Sequence, residues 1–317
     1  MNARRGGSAL IVVLLLLTLL IVLTAQITTR TETDARALEN GVTELQAQYA
    51  LQGALVHAMA ILAADATADQ AALDAPPNLP KADWLGEAWT HPAEDLPLGD
   101  GTYGFSITDE QGRYNINALV DGTGALIPDE QPRLQRLLAR ACPALDTTAF
   151  RDALGDWEDK AASGQPEIGI YETGAPNRPL LTTKELRLLP TATTEILAGL
   201  LPRIGTGLAP QVNVNTAQED VLYALSEAFG AVTWAKLQAR LQAQDPLRDL
   251  ADLKALSGIA DAEWNALLPR LSVRSSIFRV SLRFAKGGTV RRATALVLRV
   301  DGQPPKRLRW DPDPLSP

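Results

Sequence analysis

The sequence predicts an α+β protein: a long N-terminal helix, an antiparallel sheet, and a large all-α domain inserted into the sheet region. Three observations predict it. The early chain is apolar and then amphipathic, with no proline between residues 27 and 64. Two blocks of alternating apolar residues, near residues 103–119 and 278–310, lie far apart in the chain. Between them, proline and glycine divide the sequence into short amphipathic segments of helical period.

The first element is RRGGSALIVVLLLLTLLIVLTA. Residues 9–25 carry no charge, and a helix rising ~1.5 Å per residue crosses the hydrocarbon in roughly 17 to 25 residues. A cleaved secretory signal has a shorter apolar core and small residues at its cut site, whereas Leu23-Thr24-Ala25-Gln26 presents a bulky leucine. The run therefore reads as a retained single-pass anchor. Arg4 and Arg5 ahead of it place the N-terminus in the cytoplasm and the body across the inner membrane.

Beyond the anchor, Leu38, Val42, Leu45, Tyr49, Val56 and Met59 recur at helical steps and form one apolar stripe. A straight helix over residues 8–64 would be roughly 80 Å long at ~1.5 Å per residue. Residues 64–97, with Pro76, Pro77, Pro80, Pro92 and Pro97, read as a linker wrapping the surface. A β-hairpin follows. Residues 103–108 form its first strand, with Tyr103, Phe105 and Ile107 on one face; residues 109–112 make the turn, and 113–119 return.

Short helices are then predicted over residues 132–141, 148–156, 182–189, 216–225, 232–242, 249–256 and 261–268. Thr182 with Glu185 forms a capping-box pair at the start of the third. Strands resume at Phe278, Val280, Leu282 and Phe284, turn at Gly287-Gly288, run back through TVRRATALVLRV, and end near Arg307 to Trp310. The expected division is residues 1–7 leader, 8–64 N-terminal helix, 65–128 linker and first sheet part, 129–272 helical insertion, and 273–317 closing strands.

Composition narrows the function. With 37 acidic against 30 basic residues, a nucleic-acid surface is not expected. Cys142 is the single cysteine and reads as a small buried apolar residue. His57 on the N-terminal helix and His91 in the proline-rich linker lie in contexts with no supporting partner, so no catalytic residues are assigned and an enzyme is not expected.

A short basic leader, a glycine and an apolar helix passing into an amphipathic one together resemble the type IV pilins and pseudopilins. The resemblance implies a helix packed on a sheet, and cleavage by a prepilin peptidase after Gly7, leaving Ser8 as an N-methylated terminus. Most members carry glutamate at the fifth mature position; here it is Val12. That absence and the helical insertion resemble the minor pseudopilin K (GspK) family of the type II secretion system. ITDEQGRYNINAL, DWEDKAASGQPEIGIYETGAPNRPLLTTKEL, VNVNTAQEDVLYAL and the closing strands match its segments in order and spacing.

The resemblance implies a structural subunit at the pseudopilus tip. Its partners would be minor pseudopilins of the I and J types and the major pseudopilin. It also implies calcium. Hard oxygens suited to that ion stand at Asp156, Asp159, Glu167 and Glu172, with Glu158 beside them, although Ala161-Ala162-Ser163 occupies positions where further acids are common. A solvated acidic loop fits the same residues. Two alternatives remain open: a periplasm-facing DNA-uptake module, because Leu256-Ser257-Gly258-Ile259 resembles a helix-hairpin-helix turn, and a type IV pilus minor pilin.

Overall fold

The computed structural model describes residues 5–74, 81–159, 175–207 and 209–312. Its first element, α1 (Arg5–Asp74), is one helix of 70 residues, about 105 Å long at ~1.5 Å per residue. It runs past the expected end at residue 64 because Ala66, Ala68, Ala71 and Ala72 favour helix and the first proline is Pro76.

The C-terminal part of α1 lies on a five-stranded antiparallel sheet. Its strands are β1 (Ala93–Leu98), β2 (Gly101–Asp109), β7 (Ile277–Lys286), β8 (Thr289–Leu298) and β9 (Lys306–Pro312), in the order β1-β2-β7-β8-β9. The face of α1 that packs is not the expected stripe. Ala47, Ala50, Leu51, Ala54, Leu55, Ala58 and Leu62 are buried against Phe105, Ile107, Phe278, Val280 and Phe284. Small alanines let the helix axis approach the sheet closely, while Tyr49 stays 73% exposed and Val56 66%. Charge complementarity adds to this contact, since Glu44 pairs with Arg291 at 2.8 Å and Gln46 accepts from Lys286 Nζ at 2.7 Å.

The expected hairpin is corrected in its partner. Residues 103–108 do fall in β2, but residues 113–119 hold a two-residue strand, β3 (Tyr114–Asn115), and a 3-10 turn (Ile116–Leu119). The hairpin partner of β2 is β1, joined through Gly99 at φ 61°, and its other edge is filled by β7 from Thr102↔Ala285 to Asp109↔Phe278. A return strand has no edge to occupy. The surface linker is likewise corrected: Ala82, Asp83 and Trp89 are buried, and Trp89 meets the Phe278 ring edge-on at 5.2 Å. Pro97 is tolerated because β1 is an edge strand.

The helical block has its own apolar core. Before the expected start at residue 129, Tyr114, Ile116 and Leu119 already belong to it. It comprises α2 (Glu130–Ala141), α3 (Thr148–Glu158), α4 (Thr194–Leu200), α5 (Glu219–Leu225), α6 (Ala231–Gln242), α7 (Leu250–Ser257) and α8 (Asp261–Leu267). Two parallel bridges tie distant segments, β3 to β4 (Ile204–Gly205) and β5 (Val212–Asn213) to β6 (Leu271–Ser272). The Thr182–Glu185 capping box forms, on a 3-10 helix (Thr183–Leu188). The turn of α4 was not foreseen. Gly199 on it lies so close to α2 that a Cβ would stand 2.5 Å from the Ala141 carbonyl oxygen. Cys142 is buried at the end of α2.

Candidate functional site

Three places offer chemistry beyond the fold. The first is the outer surface of α1. Leu10 through Leu23 present large apolar side chains at 46% exposure or more, and α1 is the one helix among the described residues long and apolar enough to cross a membrane. Hydroxyls inside that stretch need partners in hydrocarbon, and they bond backward along the helix: Thr18 to the Leu15 carbonyl at 2.9 Å, Thr24 to that of Leu20 at 2.8 Å. Gly7 and Ser8 lie within α1 near its start.

The apolar row continues beyond residue 25 as Leu38, Val42, Leu45, Tyr49 and Val56, all exposed, while Met59 packs against the sheet core. Part of the row borders a groove of about 630 Å³, floored by Gly53 and Ala54 and walled by Leu98, Tyr103 and Phe284. His57 sits at its edge, 3.2 Å from the Tyr103 hydroxyl and edge-on to Phe105 at 5.0 Å, which is packing rather than a catalytic setting.

The second place is the joint between sheet and helical block. The chain leaves the sheet after Asp109 and returns before Ile277, and both crossings are clamped by buried polar side chains. The Ser275 and Thr216 hydroxyls each donate to Asp109 Oδ2 at 2.5 Å, and Asn213 Nδ2 lies 3.2 Å from the same oxygen. Gln111 Oε1 accepts from the backbone N–H of Ser276 at 2.6 Å and of Ile277 at 3.2 Å. Burial raises the Asp109 carboxyl to about 6, against the lowering effect of its hydroxyl donors. Sequence reading missed this site, because its members are scattered from Asp83 to Arg299 and no local spacing joins them.

Asp65, Asp69 and Asp83 also meet here, with carboxylate oxygens within 4.8 Å of one another. Arg299 pairs with Asp65 and Asp83, so the guanidinium already sits among these carboxylates.

The third place is the acidic end of α3. Asp156 in the last turn of α3 and Asp159 at its C-cap border a cleft of about 80 Å³ with Asp152 and Gln131. Glu158 points elsewhere. It is 1% exposed, both carboxylate oxygens are without hydrogen-bond partners among the described residues, and burial pushes its carboxyl well above the ordinary range. Glu167 and Glu172 lie outside the described residues. The helix-hairpin-helix reading is not supported: α7 and α8 do turn at Gly258 (φ 64°), but Asp261 and Glu263 occupy the first turn of α8, where a phosphate would have to bind.

A membrane-length apolar helix, laid by its far half on an antiparallel sheet that carries a helical domain, defines a structural subunit of pilin-like build. The sequence model of the family described as "Type II secretion system (T2SS), protein K" matches residues 112–206. The Type II secretion system protein K of Klebsiella pneumoniae is 31% identical over 310 residues, covering 90% of each chain. That of Pectobacterium carotovorum subsp. carotovorum is 27% identical over 307 residues, again 90% of each. The chain belongs to the type II secretion system protein K family. In fold it is similar to a chain of the crystal structure of the GspK-GspI-GspJ complex from the enterotoxigenic Escherichia coli Type 2 Secretion System. The TM-score is 0.65 at 20% identity, over 84% of this chain and 98% of that one.

Proposed function

We propose that this secretion-system subunit is a minor pseudopilin at the tip of the periplasmic pseudopilus, where it meets minor pseudopilins of the I and J types through α1. The observation that carries the reading is the uncovered apolar row Val42, Leu45, Tyr49 and Val56, the first three of which line a groove of about 630 Å³. Leaving large apolar side chains in water has a cost that a partner helix removes. The E. coli chain similar in fold was solved in a complex with GspI and GspJ, which supports subunits of the I and J types as the occupants. Val12 supports the tip position: without a carboxylate there, the chain has nothing to neutralise the terminal amine of a subunit ahead of it.

In this reading residues 9–25 cross the inner membrane once, with the N-terminus cytoplasmic and the body periplasmic. Prepilin peptidase cuts after Gly7, and Ser8 becomes the methylated terminus. Residues 1–7 serve as the leader, α1 as the helix, β1 and β2 as the first part of the sheet, the helical block as the insertion, and β7 to β9 as the closing strands. The role is assembly rather than catalysis. The test is co-capture of the full chain with its I-type and J-type neighbours. Tyr49→Glu with Val56→Glu should fold normally, because both positions are exposed, and lose most of the capture; undiminished capture would contradict the reading.

We also infer that the acidic end of α3 holds calcium. Support comes from Asp156 and Asp159 lining one cleft with Asp152, carboxylate oxygen donors of the kind this ion takes. Glu167 and Glu172 are the further ligands proposed. A bound ion would neutralise crowded carboxylates and tie α3 to the loop after it. The melting temperature should therefore rise in millimolar Ca²⁺ over chelator, by less in an Asp156→Ala, Asp159→Ala double variant. An unchanged melt would leave a solvated acidic surface.

A further inference from the structure

The joint contains a device that neither its helical block nor its sheet needs for its own core. Arg299, 3% exposed at the end of β8, extends its guanidinium between α1 and the segment after it. One arm pairs with Asp65 on α1 and the other with Asp83. The second arm also donates to the Ser275 carbonyl at 3.0 Å, and the plane lies 4.6 Å from the Phe278 ring centre. Asp83 carries the connection onward. Its other carboxylate oxygen accepts the Ser275 N–H at 2.6 Å, its backbone N–H donates to the Val273 carbonyl at 2.9 Å, and its carbonyl oxygen accepts from Asn213 Nδ2 at 3.0 Å. Asn213 is on β5 and Val273 packs against the helical core.

Two covalent crossings alone would leave a hinge, since a few loop residues can absorb large changes in φ and ψ. We infer that Arg299 is the positioning residue that locks that hinge, holding the helical domain in one orientation on the helix-and-sheet body through its paired bonds to Asp65 and Asp83. The residue type matters. A guanidinium offers a planar fork that can hold two carboxylates at once, whereas an ammonium is a single point of charge. Its loss also leaves Asp65, Asp69 and Asp83 crowded together, with Lys81 turned to Asp301 at 3.3 Å, so their repulsion pushes the segment carrying Asp83 away from α1. Asp301 in turn holds Arg274 at 2.8 Å, which keeps the neighbouring loop against the return crossing. The lock is independent of which subunits the protein meets.

The test measures orientation directly. In full-length protein in detergent micelles, spin labels are placed at Ser281→Cys on the outer face of β7 and at Val232→Cys on α6, in a Cys142→Ala background; both label positions are exposed. The distance distribution should be narrow with Arg299 present. It should broaden to at least about twice that width in Arg299→Met and to an intermediate width in Arg299→Lys. Circular dichroism should stay unchanged, which separates a lost orientation from a lost fold. If Arg299→Met does not fold, the near-isosteric Asp83→Asn variant decides, with the same broadening expected. A distribution as narrow as the parent's in whichever of these variants folds overturns the inference.

Discussion

Tyr114 and Glu130 meet inside the helical block, the phenolic hydroxyl donating to the carboxylate at 2.7 Å. Both are buried, and Arg133 and Arg270 approach the other carboxylate oxygen at 2.5 and 2.9 Å. One acid therefore ties β3, the start of α2 and the chain just after α8. Tyr114→Phe removes one partner and should cost about 1 to 2 kcal/mol. Glu130→Ala leaves two cations facing an apolar core and should cost about 3 kcal/mol or more. Denaturant midpoints of the two variants check the order; equal losses would show that the arginines contribute nothing.

Glu87 gives the fold a pH dependence of definite sign. It accepts from Trp89 Nε1 at 2.6 Å and the Trp84 N–H at 3.2 Å, yet burial first, then the charge of Asp65, raises its carboxyl from 4.5 to about 8. Between those values the folded chain binds more protons than the unfolded one, so stability falls as pH rises. The melting temperature should drop between about pH 4.5 and about pH 8, and Glu87→Gln should flatten that slope. A flat parent curve would contradict the assignment. Asp65 and Asp109, each raised to about 6 by burial, extend the same sign to lower pH.

The leader reading has a direct readout in mass. Co-expression with a prepilin peptidase should shorten the chain by the seven residues through Gly7 and expose Ser8. Gly7→Glu should block the change. An intact Met1 terminus, with the peptidase active on a control substrate, would remove the pilin-type processing from the account.

What the sequence made legible followed physical range. The anchor, most short helices, the Thr182–Glu185 cap and the Gly287-Gly288 hairpin are local patterns, and local patterns can be read directly. The stripe of large apolar residues on α1 was legible, but which face of α1 packs on the sheet was not. The packed face instead uses Ala47, Ala50, Ala54 and Ala58, and the large residues face outward. The return strand at residues 113–119 went wrong because the true neighbour of β2 is β7, more than 150 residues away, and strand pairing at that distance leaves no local trace. The joint was invisible for the same reason. Asp65, Asp83, Asp109, Asn213, Ser275 and Arg299 are individually unremarked polar residues until the fold brings them together. At the acidic end of α3, the sequence picked out Asp156 and Asp159, but only the burial of Glu158 showed that one carboxylate there has no hydrogen-bond partner among the described residues.

The central claim is that this subunit occupies the filament end. Its most direct test is to count and locate a single tag, placed after residue 312, on pseudopili assembled from the full set of subunits. One tag per filament, at the end, is the predicted result. It should disappear when residues 129–271 are deleted, although membrane insertion and cleavage at Gly7 persist. Tags repeating along the shaft would contradict the tip position.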